Sequence, residues 1–241
     1  MIQSIKFRKV FSVVLIIVLI FSYSEDINAQ TLNKDDENII VKGNSNVPKI
    51  ALTFDDGPHP KKTDKILDIL EKYGIKATFF VIGKNAELYP QPLIRASKEG
   101  HEIANHTYSH CKISRMSYLN LKKEIMKCES IIYSKCDVKS QLFRPPEGNL
   151  SSDVKKCTFE LGYKSVLWTV DTLDWKGTNY DKIVNNVIKN TSYGDIILMH
   201  DYTSYTNDGI YALEKFIPKL QEMGYEFVTI SELINYKAPQ M

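Results

Sequence analysis

The chain has 241 residues, of which 43% are hydrophobic and 25% charged, and its formal net charge is +2. These values are ordinary for a globular protein. They supply neither the strong basic field of a nucleic-acid-binding protein nor the acidic excess of a disordered chain, so we expect no nucleic-acid partner. The length allows one large domain or two small ones.

The N-terminal segment differs in composition from the rest. Three basic residues among the first nine precede an uncharged apolar run, Val10–Ser24. A basic region, an apolar core and then a small residue, here Ala29, form the layout of a secretory signal, and the run is shorter than the roughly 20 residues that usually span a bilayer. We predict that residues 1–29 are a signal peptide or, alternatively, an N-terminal membrane anchor. The polar residues 30–47 are predicted to be a linker.

Strand-like and helix-like segments alternate along the remaining chain. Four of the helical segments stop just before a glycine, which is a common C-cap. In chain order we predict a strand at 49–54, a helix at 61–73, a strand at 77–83, a helix at 87–99, a strand at 101–106, a helix at 117–135, a strand at 141–146, a helix at 151–161, a strand at 163–170, a helix at 180–190, a strand at 195–200, a helix at 209–223, a strand at 225–230 and a helical turn at 231–235.

This alternation predicts a parallel sheet covered by helices. The seven strands are one short of an eight-stranded barrel. We therefore predict an α/β fold in which parallel strands form a distorted barrel of seven strand–helix units. Nothing splits the region, so we expect a single domain over residues 48–236.

The four cysteines are Cys111, Cys128, Cys136 and Cys157. Their spacings do not resemble a zinc framework. On one continuous helix Cys128 and Cys136 would lie roughly 12 Å apart along the axis, which is too far for a disulfide. We expect no set of structural disulfides.

Polar side chains stand at or just after the ends of five predicted strands. They are Asp55 and Asp56, His106, Arg144, Asp171 and Asp174, and His200. The strand C-termini of a parallel α/β fold lie on one face, where ligand sites are built. Residues about 145 positions apart can therefore converge there.

Two of these positions suggest a metal site. His106 and His110 are four residues apart and can face the same way on a helical turn. Alone, this spacing is more often found in polar loops, and it lacks the glutamate of an HExxH peptidase. Asp55-Asp56-Gly57-Pro58 can likewise be an ordinary turn. With Asp56 as a third ligand, however, the set becomes Asp-His-His, the ligand count of a catalytic metal site.

The segments TFDDGP, HTYSH, RPPEG, DTLDW and LMH occur in this order. With them the chain resembles the polysaccharide deacetylases of the NodB-homology type (carbohydrate esterase family 4) over roughly residues 48–235. The resemblance implies the NodB-homology fold and a monomeric, metal-dependent hydrolase that removes N-acetyl groups from N-acetylglucosamine units. The exported leader makes peptidoglycan the first expected substrate, and membrane contact is expected only through that leader. The alternatives are a chitooligosaccharide N-deacetylase, an O-acetylxylan esterase or, in a different class, a non-catalytic glycan-binding protein.

The family pattern also implies a role for each matching residue. Asp55 would be the catalytic base and Arg144 would orient it, while His200 would be the general acid and Asp174 would tune it. One divalent ion, zinc first and cobalt or another ion second, would be held by Asp56, His106 and His110. The expected substrate-binding residues are Pro145, Glu147, Trp175 and Leu198.

Within this set, the backbone N–H of Glu147 would donate to the oxyanion, and Trp175 and Leu198 would line the acetyl pocket. Glu147 stands where the family usually has an aromatic residue, and Cys111 where it commonly has proline. We assign Trp168 to the strand core. Asp171 is expected either to cap or to position its loop.

Overall fold

The computed structural model describes residues 38–202 and 207–235. The chain divides into two units, Met1–Asn38 and Ile39–Met241. The segment 1–29, predicted to be a signal peptide or anchor, lies outside the described residues, as does the first part of the predicted linker. Within the described ranges, no helix combines the length and hydropathy needed to cross a membrane.

The described residues form one parallel sheet of nine strands, in the order β1-β6-β5-β4-β3-β2-β8-β7, with β9 pairing beside the start of β2. The strands are β1 Ile39–Ile40, β2 Lys49–Asp55, β3 Thr78–Val81, β4 Glu102–Asn105, β5 Leu142–Phe143, β6 Lys164–Val166, β7 Val170–Asp171, β8 Ile196–His200 and β9 Glu226–Phe227.

Helices connect and cover these strands. They are α1 Lys62–Lys72, α2 Gly83–Leu88, α3 Pro90–Lys98, α4 Tyr118–Cys136, α5 Ser152–Glu160, α6 Tyr180–Asn190, α7 Asp208–Glu222 and α8 Ile230–Asn235. Short 3₁₀ turns occupy Ile113–Arg115, Pro146–Gly148 and Asp174–Lys176.

The sheet is curled because one short segment, residues 167–169, connects strands that lie at its two opposite ends. β6 lies beside β1 near one end of the strand order, whereas β7 is the last strand at the other. Only residues 167–169 separate them, and four residue steps span at most about 14 Å. Leu167 N donates to Ile40 O, and Thr169 N donates to Ile196 O, so this crossing touches both ends of the sheet. The fold is thus the predicted distorted barrel of parallel strands.

Several elements differ from the sequence prediction. The predicted helix 87–99 is two helices, because Pro90 begins α3 and the residue before a proline is disfavoured in helical geometry. The predicted strand 163–170 is broken into β6 and β7 by the crossing segment. Ile39–Ile40, which fell within the predicted linker, forms β1 beside β6, so the sheet begins before residue 48.

The core lies on both faces of the sheet, as expected for a parallel sheet covered on both sides. β2 alternates between two buried clusters. Leu52 and Phe54 pack with the residues of α1 and α7, whereas Ala51 packs with other strands and with α8. This period-two alternation places Ala51 and Asp55 on the inner face of the barrel. All four cysteines are free thiols.

Candidate active site

β2 delivers two adjacent carboxylates to the carboxyl end of the sheet. Asp55 is the last residue of β2 and is 3% exposed. Asp56 has a left-handed backbone with φ of 77°, an uncommon conformation for a residue other than glycine. Asn85 Nδ2 donates to Asp56 O at 2.7 Å, which holds this backbone in place. The left-handed turn therefore removes Asp56 from the strand alternation that would send it to the opposite face.

Arg144 is fully buried behind the first carboxylate. Its Nη1 donates to Asp55 Oδ1 at 2.7 Å and to Thr53 Oγ1 at 2.8 Å. Its Nε and Nη2 donate to the backbone carbonyls of residues 166–167. Burial lowers the pKa of Arg144, while the charge of Asp55 opposes that change. A buried pair with this many hydrogen bonds holds the Asp55 carboxylate in one orientation.

The second carboxylate faces two histidines. Asp56 Oδ1 lies 3.5 Å from His106 Nε2 and 3.4 Å from His110 Nε2. His106 Nδ1 donates to Arg144 O at 2.7 Å, so its Nε2 carries the lone pair that faces Asp56. Burial lowers the pKa of His106, which favours the neutral ring that binds a metal ion.

These three side chains fit a divalent cation. Their ligand atoms all lie within 4.8 Å of one another. Asp56 Oδ1 is itself buried and has no hydrogen-bond partner in the part of the chain that the structure describes. A buried carboxylate oxygen without a donor, aimed at two imidazole nitrogens, is the arrangement expected of a metal site.

A histidine–aspartate pair stands across from Asp55. His200 ends β8 and is in register with Asp55 on β2. Asp174 accepts twice from His200, from the backbone N and from Nδ1, both at 2.8 Å. Burial alone would lower the pKa of His200, but the hydrogen bond and charge of Asp174, with the charges of Asp55 and Asp56, raise it to about 9. The ring is therefore protonated at neutral pH, and its Nε2 proton is the one available for transfer.

A cavity of about 410 Å³ opens above these groups. Its walls contain both carboxylates, both histidines of the Asp-His-His set and His200. The four predicted substrate-binding residues also line it, namely Pro145, Glu147, Trp175 and Leu198. The volume lies within the usual range of small-ligand pockets.

Glu147 is left-handed, with φ of 58° and ψ of 15°. Its backbone N–H donates to no group among the described residues, and its side chain is exposed at the cavity wall. This unpaired N–H is therefore free to donate to a ligand, as predicted for an oxyanion donor.

The prediction that Trp168 belongs to the strand core is confirmed only in part, because the ring packs against one core cluster but lies outside the strands. It is half-buried, it lines the cavity and Arg144 lies 5.6 Å from the centre of its ring. The reason is that the predicted strand breaks at residues 167–169, so Trp168 leaves the sheet.

Asp171 positions its loop: Oδ1 accepts from Leu173 N at 2.9 Å and from Trp175 Nε1 at 3.3 Å.

Two further residues beside the site carried no predicted role. His59 Nδ1 accepts from the backbone N–H groups of Lys61 and Lys62, so it caps α1. Asp201 is buried directly after His200, and burial raises its pKa to about 7. The signal that could have revealed Asp201 is a second polar residue at the end of β8, as Asp56 is at the end of β2.

Comparison with known proteins identifies the family. A family model described as polysaccharide deacetylase matches residues 42–166. The chain belongs to the polysaccharide deacetylase family. It is therefore a hydrolase, and its curled parallel barrel is the fold of this family.

Individual relatives extend the match beyond residue 166. A peptidoglycan-N-acetylglucosamine deacetylase of Bacillus cereus is 42% identical over 190 residues, which cover 78% of this chain and 89% of that protein. The peptidoglycan-N-acetylmuramic acid deacetylase PdaC of Bacillus subtilis is 40% identical over 188 residues, which cover 78% of this chain but 39% of PdaC. The crystal structure of the Bc1960 peptidoglycan N-acetylglucosamine deacetylase superposes with a TM-score of 0.80 at 37% identity, covering 84% of this chain and 95% of that one.

Proposed function

We propose that this deacetylase removes N-acetyl groups from N-acetylglucosamine units of peptidoglycan, using one divalent cation, with zinc as the first candidate. The observation that carries the proposal is the buried Asp56 Oδ1, which has no hydrogen-bond partner within residues 38–202 and 207–235 and faces His106 and His110. Asp55 and His200 line the same cavity. The predicted N-terminal leader, residues 1–29, supports a protein that is secreted or held at the cell surface. The names of the relatives support peptidoglycan as the substrate.

Amide hydrolysis needs an activated water molecule, a stabilised oxyanion and a protonated leaving amine. Held by Asp56, His106 and His110, a divalent cation would supply the positive charge that activates water and polarises the acetyl carbonyl. The remaining requirements fall to groups of the chain itself.

Asp55 is placed to accept the proton of the attacking water. Arg144 occupies Oδ1 at 2.7 Å, and this leaves Oδ2, which lies 3.8 Å from His106 Nε2 at the edge of the cation site. The buried guanidinium holds the carboxylate in one orientation, with Oδ2 directed toward the position of the attacking water.

The backbone N–H of Glu147 would donate to the oxyanion, and because it has no acceptor among the described residues, little reorganisation is required. His200 would then donate its Nε2 proton to the leaving nitrogen. Its raised pKa, about 9, keeps the acid loaded at neutral pH. Leu198 and Trp175, on the cavity wall, would exclude water from around the acetyl methyl group.

Three other substrates remain testable with the same site. Chitooligosaccharides carry the same acetamide group as peptidoglycan. Acetylxylan carries acetyl esters, whose alcohol leaves more easily than an amine does. The third substrate is the N-acetylmuramic acid of peptidoglycan, for which the relative PdaC is named. A non-catalytic glycan-binding role is disfavoured because both the base and the acid stand in ordered, charge-paired positions.

The test is acetate release by the purified full chain from lysozyme-solubilised peptidoglycan, chitin oligomers and acetylxylan, each with and without a chelator. We expect release from peptidoglycan that stops with chelator and returns with zinc or cobalt, and mass spectrometry should place the loss on N-acetylglucosamine. Release from acetylxylan alone would favour the esterase. No cation-dependent release from any of the three substrates would refute the proposal.

A further inference from the structure

The turn after β2 rests on a carboxyl group that has no role in the mechanism above. Asp201 directly follows His200 and is 1% exposed. Its N–H donates to Asp55 O at 3.1 Å, which extends the contact between β8 and β2 by one residue. Its Oδ2 accepts from Thr63 Oγ1 at 2.5 Å, in the first turn of α1. Asp201 therefore ties together the two segments that flank residues 56–61.

Gly57 packs directly against this carboxyl group. A Cβ atom at position 57 would lie 2.0 Å from Asp201 Oδ2 and 2.1 Å from Oδ1, far inside van der Waals contact. The backbone of Gly57 is not in the left-handed region, so an alanine there would not meet the strain of a positive φ. The glycine is required by the close approach of Asp201 and not by its own φ.

The contact is not explained by stability. Asp201 Oδ1 is buried and has no hydrogen-bond partner among residues 38–202 and 207–235. Burying an unpartnered carboxyl oxygen lowers the stability of a fold. A group that is unfavourable for stability and lies beside a functional turn is instead expected to set geometry.

We propose that Asp201 is a positioning residue for the cation site. It fills the space under Gly57 and is itself held by Thr63, so it fixes the turn in which Asp56 adopts its left-handed backbone and aims Oδ1 at the two histidines. The inference rests on the proposed function, because it takes Asp56, His106 and His110 as the cation ligands.

The test uses Co(II) as the probe, with visible absorption reporting both affinity and ligand geometry in the full chain. Asp201→Ala removes the support under Gly57, and we expect Co(II) affinity to fall by about 10-fold or more with a changed spectrum, as for other residues that orient metal ligands. Asp201→Asn keeps the shape and an oxygen for Thr63, so its affinity should stay within about threefold of wild type.

A second pair of variants tests the contact itself. Gly57→Ala places a methyl group against the Asp201 carboxyl group, and we expect a loss of Co(II) affinity of about 10-fold or more. Gly57→Ala combined with Asp201→Ala relieves that clash, so the double variant should bind Co(II) about fivefold more tightly than Gly57→Ala alone. Strictly additive losses would contradict the proposed contact.

Asp195→Ala is the matched control. Asp195 is a buried carboxylate that directly precedes the first residue of β8, at the end of the strand away from His200. It forms an ion pair with Lys42 and accepts a hydrogen bond from Ser192 N. Its loss should lower thermal stability and leave the Co(II) spectrum unchanged. If Asp201→Ala behaves like this control, or binds Co(II) as tightly as wild type, the inference is wrong.

The remaining outcomes separate this inference from the proposed function. If Asp201→Ala does not fold, Gly57→Ala by itself still decides the result, because it retains the Asp201 carboxyl group that the methyl group would meet: Co(II) affinity within about threefold of wild type would overturn the inference. Wild-type protein that does not bind Co(II) overturns the inference. If wild-type protein binds Co(II) and the variants show the expected affinities, but wild-type protein releases no acetate, only the proposed function is overturned.

Discussion

Replacing Asp174 with asparagine gives the sharpest test of the acid. Asp174 accepts two hydrogen bonds from His200, and it is 7% exposed. Asparagine keeps the shape and one acceptor oxygen but removes the negative charge. The ring should therefore stay near its place while its proton affinity changes.

The size of the change follows from the raised pKa of His200. A rise from the ordinary value of 6.5 to about 9 corresponds to roughly 3 kcal/mol in favour of the protonated ring. Without the Asp174 charge, burial dominates, and we expect the pKa to return to about 6.5 or lower. At about pH 8 the protonated fraction would fall from roughly nine-tenths to roughly 3%, a loss of about 30-fold in loaded acid.

The assay is the pH profile of kcat/KM for acetate release, compared between wild type and Asp174→Asn. Wild type should lose activity as pH rises toward about 9, or somewhat below, because a bound cation offsets the charges of Asp55 and Asp56. The variant should lose activity about two pH units earlier or more. An NMR titration of the His200 ring in metal-free protein measures the same shift without relying on turnover.

The same pair has a defined effect on stability. A histidine whose pKa is raised in the folded state stabilises the fold fully below its unfolded value of about 6.5, and this contribution is lost as pH rises through about 9. Urea unfolding at about pH 6 and pH 10 should show that loss in wild type and a smaller one in Asp174→Asn. An alkaline limb and an NMR pKa that do not move in the variant would refute the reasoning.

Three further variants test the other groups. Asp55→Asn should lower turnover by about 100-fold or more, while equilibrium dialysis still shows one bound cation, since Asp56 and the histidines remain; near-normal turnover would contradict the base assignment. His106→Ala should lower cation affinity by about 10-fold or more in the same dialysis, and unchanged cation content would show that it is not a ligand. Arg144→Met leaves the buried Asp55 carboxylate without its ion-pair partner. We expect the free energy of unfolding, measured by urea denaturation, to fall by about 3–5 kcal/mol. Arg95→Met, in a partly exposed ion-pair cluster, is its control and should lose at most about 1 kcal/mol; equal losses would mean that the Arg144 pair has no special role.

The sequence by itself was enough to predict the parallel sheet and the face of the sheet on which the site lies. Apolar runs such as that of β2 alternate with amphipathic helices, and this local pattern is enough to indicate a parallel α/β sheet. Once the strands are parallel, residues at their carboxyl ends share one face, so Asp55, His106 and His200 could be brought together without coordinates. The five motifs, in their order along the chain, then indicated the polysaccharide deacetylase family, and the similarity to known proteins confirms this prediction.

Only the tertiary structure decided how those groups are oriented. Three features depend on contacts between segments far apart in the chain. They are the left-handed turn at Asp56, the position of Trp168 outside the sheet and the packing of Gly57 against Asp201. Each local sequence allows more than one conformation, since an Asp-Gly-Pro turn or an apolar run has several of similar free energy. Packing between distant segments selects among them, because a close-packed interior leaves room for one arrangement.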